Sequence, residues 1–194
     1  MVNAVRESGH ELAIWQDNWW ESGQWPRLAD HTVVFHGSLG NAVRVLADLP
    51  WRPGAFCNTQ AFRCSAWYPK AKDWLLHTSW RLTTVRDLVG ATEDVLSSVG
   101  SPGSVFVRPD SPLKPFSGRV LNRGNISLDE LDFGFYYDDK DLQVIVAPVR
   151  IISREWRYVV VSGSIVAGSA YAADGRSALP DSSTGRPWQY ASEI

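Results

Sequence analysis

The sequence predicts an α+β protein of two lobes preceded by a small α/β domain. Three observations carry this. A β-branched strand closed by a glycine–serine turn runs directly into a helical stretch between residues 32 and 49. From residue 83 onward, short apolar strands alternate with helical runs. No internal repeat or low-complexity tract interrupts the 194 residues, so solenoid and linker architectures fall away. Strands and helices alternating in this way suit packed lobes better than one parallel sheet.

The elements follow in order. Residues 1–85 are expected to form the first unit. Within it, Thr32 to Phe35 reads as a strand, His36-Gly37-Ser38-Leu39-Gly40 as a turn, and NAVRVLADL as a helix. This is the βα step of an α/β domain, whose glycines permit a tight turn with free backbone N–H groups. From Thr83, TTVRDLVGATEDVLSSVG predicts one helix with Thr84 as its N-cap, Asp87 in the first turn, and Val85, Leu88, Val89, Val95 and Leu96 at apolar spacings. Gly100-Ser101-Pro102-Gly103 ends it. SVFVRP and GRVL are the next strands, and Ser127 to Glu130 is a capping box opening a short helix through Phe135. Asp138 to Asp141 is a solvated acidic turn. QVIVAP, YVVV and SIVAGSAY are strands, the last two joined at a Ser-Gly turn. The lobes are expected at residues 86–143 and 144–194.

Composition excludes several functions. A net charge of −2 and a pI near 6.1 give no long-range attraction to nucleic acid or to an anionic membrane, so any anion site must be a local cluster. No apolar run approaches the roughly 20 residues that span a bilayer, and MVNAVRESGHELAIW is too polar for a secretory signal. A cytoplasmic protein is expected. Cys57 and Cys64 are then reduced thiols, and no second ligand pair has the spacing of a zinc site. His77 is the nearest downstream imidazole, and His10, His31 and His36 are expected to pack or to face solvent. Eight of the ten tryptophans, Trp15, Trp19, Trp20, Trp25, Trp51, Trp67, Trp74 and Trp80, fall in the first 80 residues. Such a group can form a carbohydrate platform. Scattered over helix-like and loop segments without a strand period, it predicts an aromatic core instead.

The chemistry concentrates in two segments. In VFVRPDSPLKPFSG, Arg108 ends a strand and Lys114 lies on the loop after it, presenting a planar fork and a mobile point charge to one space. That pair suits a polyphosphate. Asp110 is expected to neutralise one of the two, and a solvated loop with one ion pair explains the same letters. Downstream, Arg154-Glu155-Trp156-Arg157 opens the strand pair before Tyr171.

The RPDSPLKPFSG and REWR motifs, in this order of strand, loop, helix, strand and hairpin, resemble the ATP-grasp superfamily, in particular the clade marked by two arginines and one lysine. The resemblance runs from about Val33 to about Tyr171. It implies an ATP-grasp-like two-lobed nucleotide-binding fold behind a small α/β domain. It also implies ATP as cofactor, with Mg²⁺, and an ATP-dependent ligase that joins a carboxylate to an amine or thiol through an acyl phosphate. Arg108, Lys114 and Arg157 match the clade's cations and would hold the triphosphate from both lobes. Phe116 and Gly118 resemble the family's flap, the ring covering the nucleotide or packing into the core. Val146 and Ala147, on the QVIVAP strand, match the hinge that reads adenine, although a plain buried strand explains them too. Glu155 would order Arg157 or bond the nucleotide, and Trp156 is expected in the core.

The family's metal ligands, an acid on one strand and a Glu-x-Asn on the next, have no match after Tyr171, where Asp174, Asp181 and Glu193 are the remaining acids. The expected C-terminal lobe is therefore incomplete, a truncated one. Pro187 to Ala191 begins a helix with an uncovered apolar face, so self-association or a protein partner is expected there. A catalytically impaired nucleotide-binding or interaction module is the second reading, and a Trp-rich carbohydrate-binding protein the third. The carboxylate and amine substrates are not legible.

Overall fold

A computed structural model describes residues 2–26, 28, 32–131, 139–173, 176–177 and 186–193. The chain divides into two compact units, Met1–Asn58 and Thr59–Ile194.

The first unit is built on the βα step and extends it to βαβ. Helices α1 (Val2–Glu7) and α2 (Trp19–Ser22) precede β1 (Thr32–Val34), α3 (Leu39–Asp48) and β2 (Arg52–Gly54). β1 and β2 pair in parallel with Thr32 opposite Arg52 and Val34 opposite Gly54, and the N–H of Phe35 donates to the Gly54 carbonyl at 2.6 Å. Ser38 starts α3 because its hydroxyl accepts from the Asn41 N–H at 3.2 Å, satisfying one of the unpaired donors of the first turn. The turn's Ser38 is therefore a helix cap. Ala42, Val45, Leu49, Trp51 and Ala55 form the core, with Trp15, Trp19, Trp20, Trp25 and Phe35 packed around them. Trp20 contacts Trp25 edge-on at 4.5 Å between ring centres, donates to Asn41 at 2.9 Å and carries the Arg44 guanidinium 3.7 Å above its ring. Five of the eight tryptophans expected in an aromatic core are in this cluster; Trp67, Trp74 and Trp80 belong to the second unit, where Trp67 and Trp74 are exposed.

The second unit opens with α4 (Cys64–Trp67) and β3 (Arg81–Thr84). The single helix expected from Thr83 is two, α5 (Val85–Gly90) and α6 (Thr92–Ser98), broken at Ala91. Thr84 does cap α5, accepting from the Asp87 N–H at 3.1 Å. The Thr92 hydroxyl donates back to the Leu88 carbonyl at 2.8 Å, which helps hold the bend. Then follow β4 (Ser104–Pro109), β5 (Arg119–Asn122) and β6 (Gln143–Pro148). Ser127 caps a 3₁₀ turn over Asp129–Leu131 at 3.3 Å; the expected continuation through Phe135 lies outside the described residues, as does the first residue of the expected acidic turn, Asp138.

β3, β6, β4 and β5 form an antiparallel sheet in that order, with β6 paired on both edges. β6 thus belongs wholly to this sheet, and a lobe boundary at 143/144 would cut through it. Residues 59–85 likewise fall in this unit and not with residues 1–58, because Cys64, Tyr68, Leu75, Trp80 and Leu82 bury against Ile145 of β6. Period-2 alternation splits the sheet's faces. Val105, Val107, Val144 and Val146 face a core with Val85, Leu88, Val95, Leu96, Phe116 and Leu131. Phe106, Arg108, Ile145 and Ala147 line the opposite face, by alternation and by the pairs Phe106–Ala147 and Arg108–Ile145.

A second sheet holds β7 (Arg154–Val161), β8 (Ser164–Ala173) and β9 (Arg176–Ser177). The expected Ser-Gly turn joins the first two: Ser162 at φ 50° and Gly163 at φ 76° are the consecutive left-handed residues of a two-residue hairpin. α7 (Arg186–Ser192) is the helix expected near Pro187. Its aromatic side is not bare, since Trp188 meets Tyr158 at 5.9 Å and Tyr190 meets Trp74 at 5.6 Å. No helix among the described residues is long and apolar enough to cross a membrane.

Candidate functional site

Arg108 is placed by β4. Its neighbours Val107 and Pro109 turn into the helix-side core, so the alternation brings the guanidinium, half-buried, onto the other face. The residue that sequence reasoning expected to neutralise it does something else. Asp110 is 1% exposed, its N–H continues the ladder to the Gln143 carbonyl at 3.0 Å, and its own carbonyl accepts from the Cys64 N–H at 3.1 Å. Its carboxylate accepts from the Ser65 N–H at 2.7 Å and the Ser65 hydroxyl at 2.9 Å, with the Arg63 guanidinium 3.7 Å away. Asp110 caps and anchors α4. Among the described residues no ion pair engages Arg108, Lys114 or Arg157.

The groups around Arg108 come from the segment before β3. Tyr68 and Cys64 are buried beside it. Burial pushes both the Tyr68 phenol and the Cys64 thiol above their usual ranges, and the Arg108 charge pulls in the opposite direction on each. His77 stacks on Phe106 with ring centres 5.5 Å apart and planes 10° from parallel. Its pKa is lowered, first by burial and then by the positive charges of Arg150 and Arg108, which the Pro148 carbonyl partly offsets.

Lys114 sits in the loop after β4 in the left-handed region, φ 49°, with its N–H on the Ser111 carbonyl at 3.2 Å. A lysine at positive φ is uncommon. Its side chain is exposed. Phe116 is buried in the helix-side core, so the ring packs there and does not cover the Arg108 face. Gly118 is required by contact: a Cβ there would lie 2.8 Å from Phe106 Cζ and 3.4 Å from Arg108 Cβ. The loop's return therefore crosses directly over the two β4 side chains that define the face.

Of the expected hinge pair, Val146 is fully buried and turned into the helix-side core, away from Arg108. Ala147 is on the Arg108 face and lies beyond the last β3 pair, Arg81–Val146. Arg157 is on β7, in the other sheet. Its guanidinium lies 3.5 Å over the ring of Tyr171, a residue displaced by the register shift between Glu155 and Trp156. Tyr171, and not Glu155, is the partner that orders it. Glu155 is exposed and, among the described residues, forms no ion pair with Arg157. Trp156 is half-buried. Arg108, Cys64, Tyr68 and His77 are thus brought together, whereas no described contact joins Arg157 or Lys114 to them.

Cys57 and Cys64 are both free thiols, and no three His, Cys, Asp or Glu side chains among the described residues are grouped to hold a metal ion. Asp174, Asp181 and His31 lie outside the described residues. The Arg108 face offers a guanidinium with no ion-pair partner among the described residues and a glycine that lets backbone approach it.

A family model of the ATP-grasp domain, the second family of the clade named for two arginines and one lysine, matches residues 56–192. The chain belongs to this ATP-grasp family, whose membership supports a nucleotide-binding, ligase-like function. The match begins at Phe56, later in the chain than the motifs suggested. No curated protein and no solved structure matches.

Proposed function

We propose that the chain is an ATP-dependent carboxylate–amine or carboxylate–thiol ligase acting through an acyl phosphate. The observation that carries this reading is the Arg108 guanidinium, half-buried on the sheet face away from the helices and in no ion pair among the described residues, while Asp110, two residues on, is engaged by Ser65 and Arg63. A cation so placed is available for a charge-assisted bond to an anionic ligand. In this reading Arg108 and Arg157 bind the triphosphate from the two sheets and Lys114 closes on it from its loop. The end of β6, at Ala147, takes the adenine. These cations would stabilise the charge that spreads over the γ-phosphoryl oxygens as it moves to the carboxylate, and the amine or thiol then attacks the acyl phosphate.

A second reading, a nucleotide-binding module without turnover, is favoured by the missing cluster of carboxylates among the described residues. Calorimetry with ATP on the wild type and on Arg108→Ala tests what the two readings share. Loss of a charge-assisted phosphate contact should weaken binding by roughly 1.5–3 kcal/mol, one to two decades. No heat and no thermal shift at millimolar ATP would refute both. Phosphate release dependent on an added carboxylate and amine, and lost in Lys114→Ala, supports the ligase; binding without release supports the module.

A further inference from the structure

His77 has no place in the two-arginine, one-lysine set, yet its surroundings are those of a ligand-binding group. Its Nδ1 is buried with no hydrogen-bond partner, an arrangement that costs stability unless something else occupies that direction. The ring lies flat on Phe106, whose other near neighbour is Gly118, so imidazole, benzyl ring and backbone form layers on the face that carries Arg108. The charges acting on the imidazole, among the described residues, are those of Arg150, just past β6, and Arg108, on β4. Phe106 pairs with Ala147 near the end of β6, so the ring that carries His77 lies between Arg108, two residues along β4, and the chain's exit toward Arg150, and two positive charges on that side suit an anion.

We propose that His77 and Arg150, together with Arg108, form a phosphate-binding subsite at the carboxyl end of β6, with the unpartnered Nδ1 hydrogen-bonded to a phosphate oxygen of the nucleotide. This rests on the nucleotide reading above and adds two residues to it. Arg150, exposed and placed by the chain's exit from β6, supplies the second charge. His77 is a binding residue whose orientation is fixed by the Phe106 stack. An anion seated between the arginines favours the charged imidazole, so ligand binding and protonation of His77 are coupled.

The test uses the full chain with ATP, adenosine and inorganic pyrophosphate as probes. Calorimetry on wild type, His77→Gln and Arg150→Gln should show ATP and pyrophosphate weakened roughly tenfold or more in each variant, with adenosine unaffected. Arg150 is at the surface, so its variant tests the site without endangering the fold. By NMR, the His77 imidazole pKa should move upward on saturation with ATP and stay in place with adenosine, a change that a purely structural histidine would not show. If the wild type binds ATP but both variants bind it within twofold and the His77 pKa does not move, the subsite is wrong while the nucleotide reading stands. If pyrophosphate binds through His77 and Arg150 but ATP does not, the subsite stands and the nucleotide reading fails. Binding of neither overturns both.

Discussion

Ser65 and Asp110, 45 residues apart, are joined twice, by the backbone N–H and by the hydroxyl of the serine on the two carboxylate oxygens of the aspartate. This pair ties the start of α4 to the end of β4, next to Arg108. The sheet beside Arg108 is thereby backed by a buried carboxylate whose hydrogen bonds are made by the start of α4.

Asp110→Ala should be the most costly substitution near the site. It strands the Ser65 donors and the Arg63 charge, and the loss of charge-assisted bonds to a buried carboxylate is worth about 2–4 kcal/mol. Arg63→Ala should cost under about 1 kcal/mol, because that guanidinium is 39% exposed at 3.7 Å. Urea denaturation of both variants, followed by tryptophan fluorescence, is the check. Equal effects would mean that the ion pair, not the serine cap, carries the stability.

Gly118→Ala separates contact from flexibility. The new methyl would meet Phe106 Cζ at 2.8 Å and Cε2 at 3.1 Å, both ring atoms, so the ring must tilt and disturb its stack with His77. Overpacking of this kind costs about 1–3 kcal/mol. Restoring space with Phe106→Leu in the same chain should recover most of the loss, measured as a thermal midpoint. A backbone-flexibility role for Gly118 predicts no such recovery.

Tyr171 should matter to Arg157 through its ring alone. Tyr171→Phe keeps the face under the guanidinium and should leave ATP affinity unchanged. Tyr171→Ala removes it and should weaken binding by about 0.5–1 kcal/mol, a factor of two to five in Kd. Calorimetry on the two variants decides. Parallel losses in both would move the role to the phenol oxygen.

Stability should have a plateau bounded by groups around Arg108. The His77 pKa is depressed below its ordinary 6.5 in the folded chain, so its contribution is full above that pH and is lost as pH falls through the folded value. The Cys64 pKa is raised above 9.0 and that of Tyr68 above 10.0, so theirs are full below those values and are lost as pH rises through the folded ones. Thermal midpoints across pH should be flat between about 6.5 and 9, and His77→Gln should flatten the acid limb. Maleimide labelling near neutral pH should mark the half-buried Cys57 well before Cys64.

Local pattern made much of this legible. The β4 and β6 strands stand at the residues expected from SVFVRP and QVIVAP, Thr84 caps its helix, and Ser162-Gly163 turns its hairpin. Such features depend on periodicity and on single-residue chemistry. What stayed hidden needed the third dimension. Asp110 reads as the counter-ion of one of the two cations beside it, and only the fold reveals the helix start that it bonds. His77 enters the sequence only as the imidazole nearest the two cysteines, because neither Phe106 nor Arg150 is near it in sequence. The break at Ala91 is decided by how α5 and α6 pack on one sheet face, which an apolar count over 83–99 does not register.

β6 is sealed on both faces and bonded along both edges over Val144 to Val146. Its amides should be the slowest in the chain to exchange with deuterated solvent, opening only with the whole unit. Arg108, hydrogen-bonded into the adjoining strand, then keeps its direction while loops around it fluctuate, and Lys114, on a strained exposed turn, does not. One cation acts as a fixed reference and the other as a follower, so ligand capture should appear as slowed exchange in residues 111–118 and no change in 143–148.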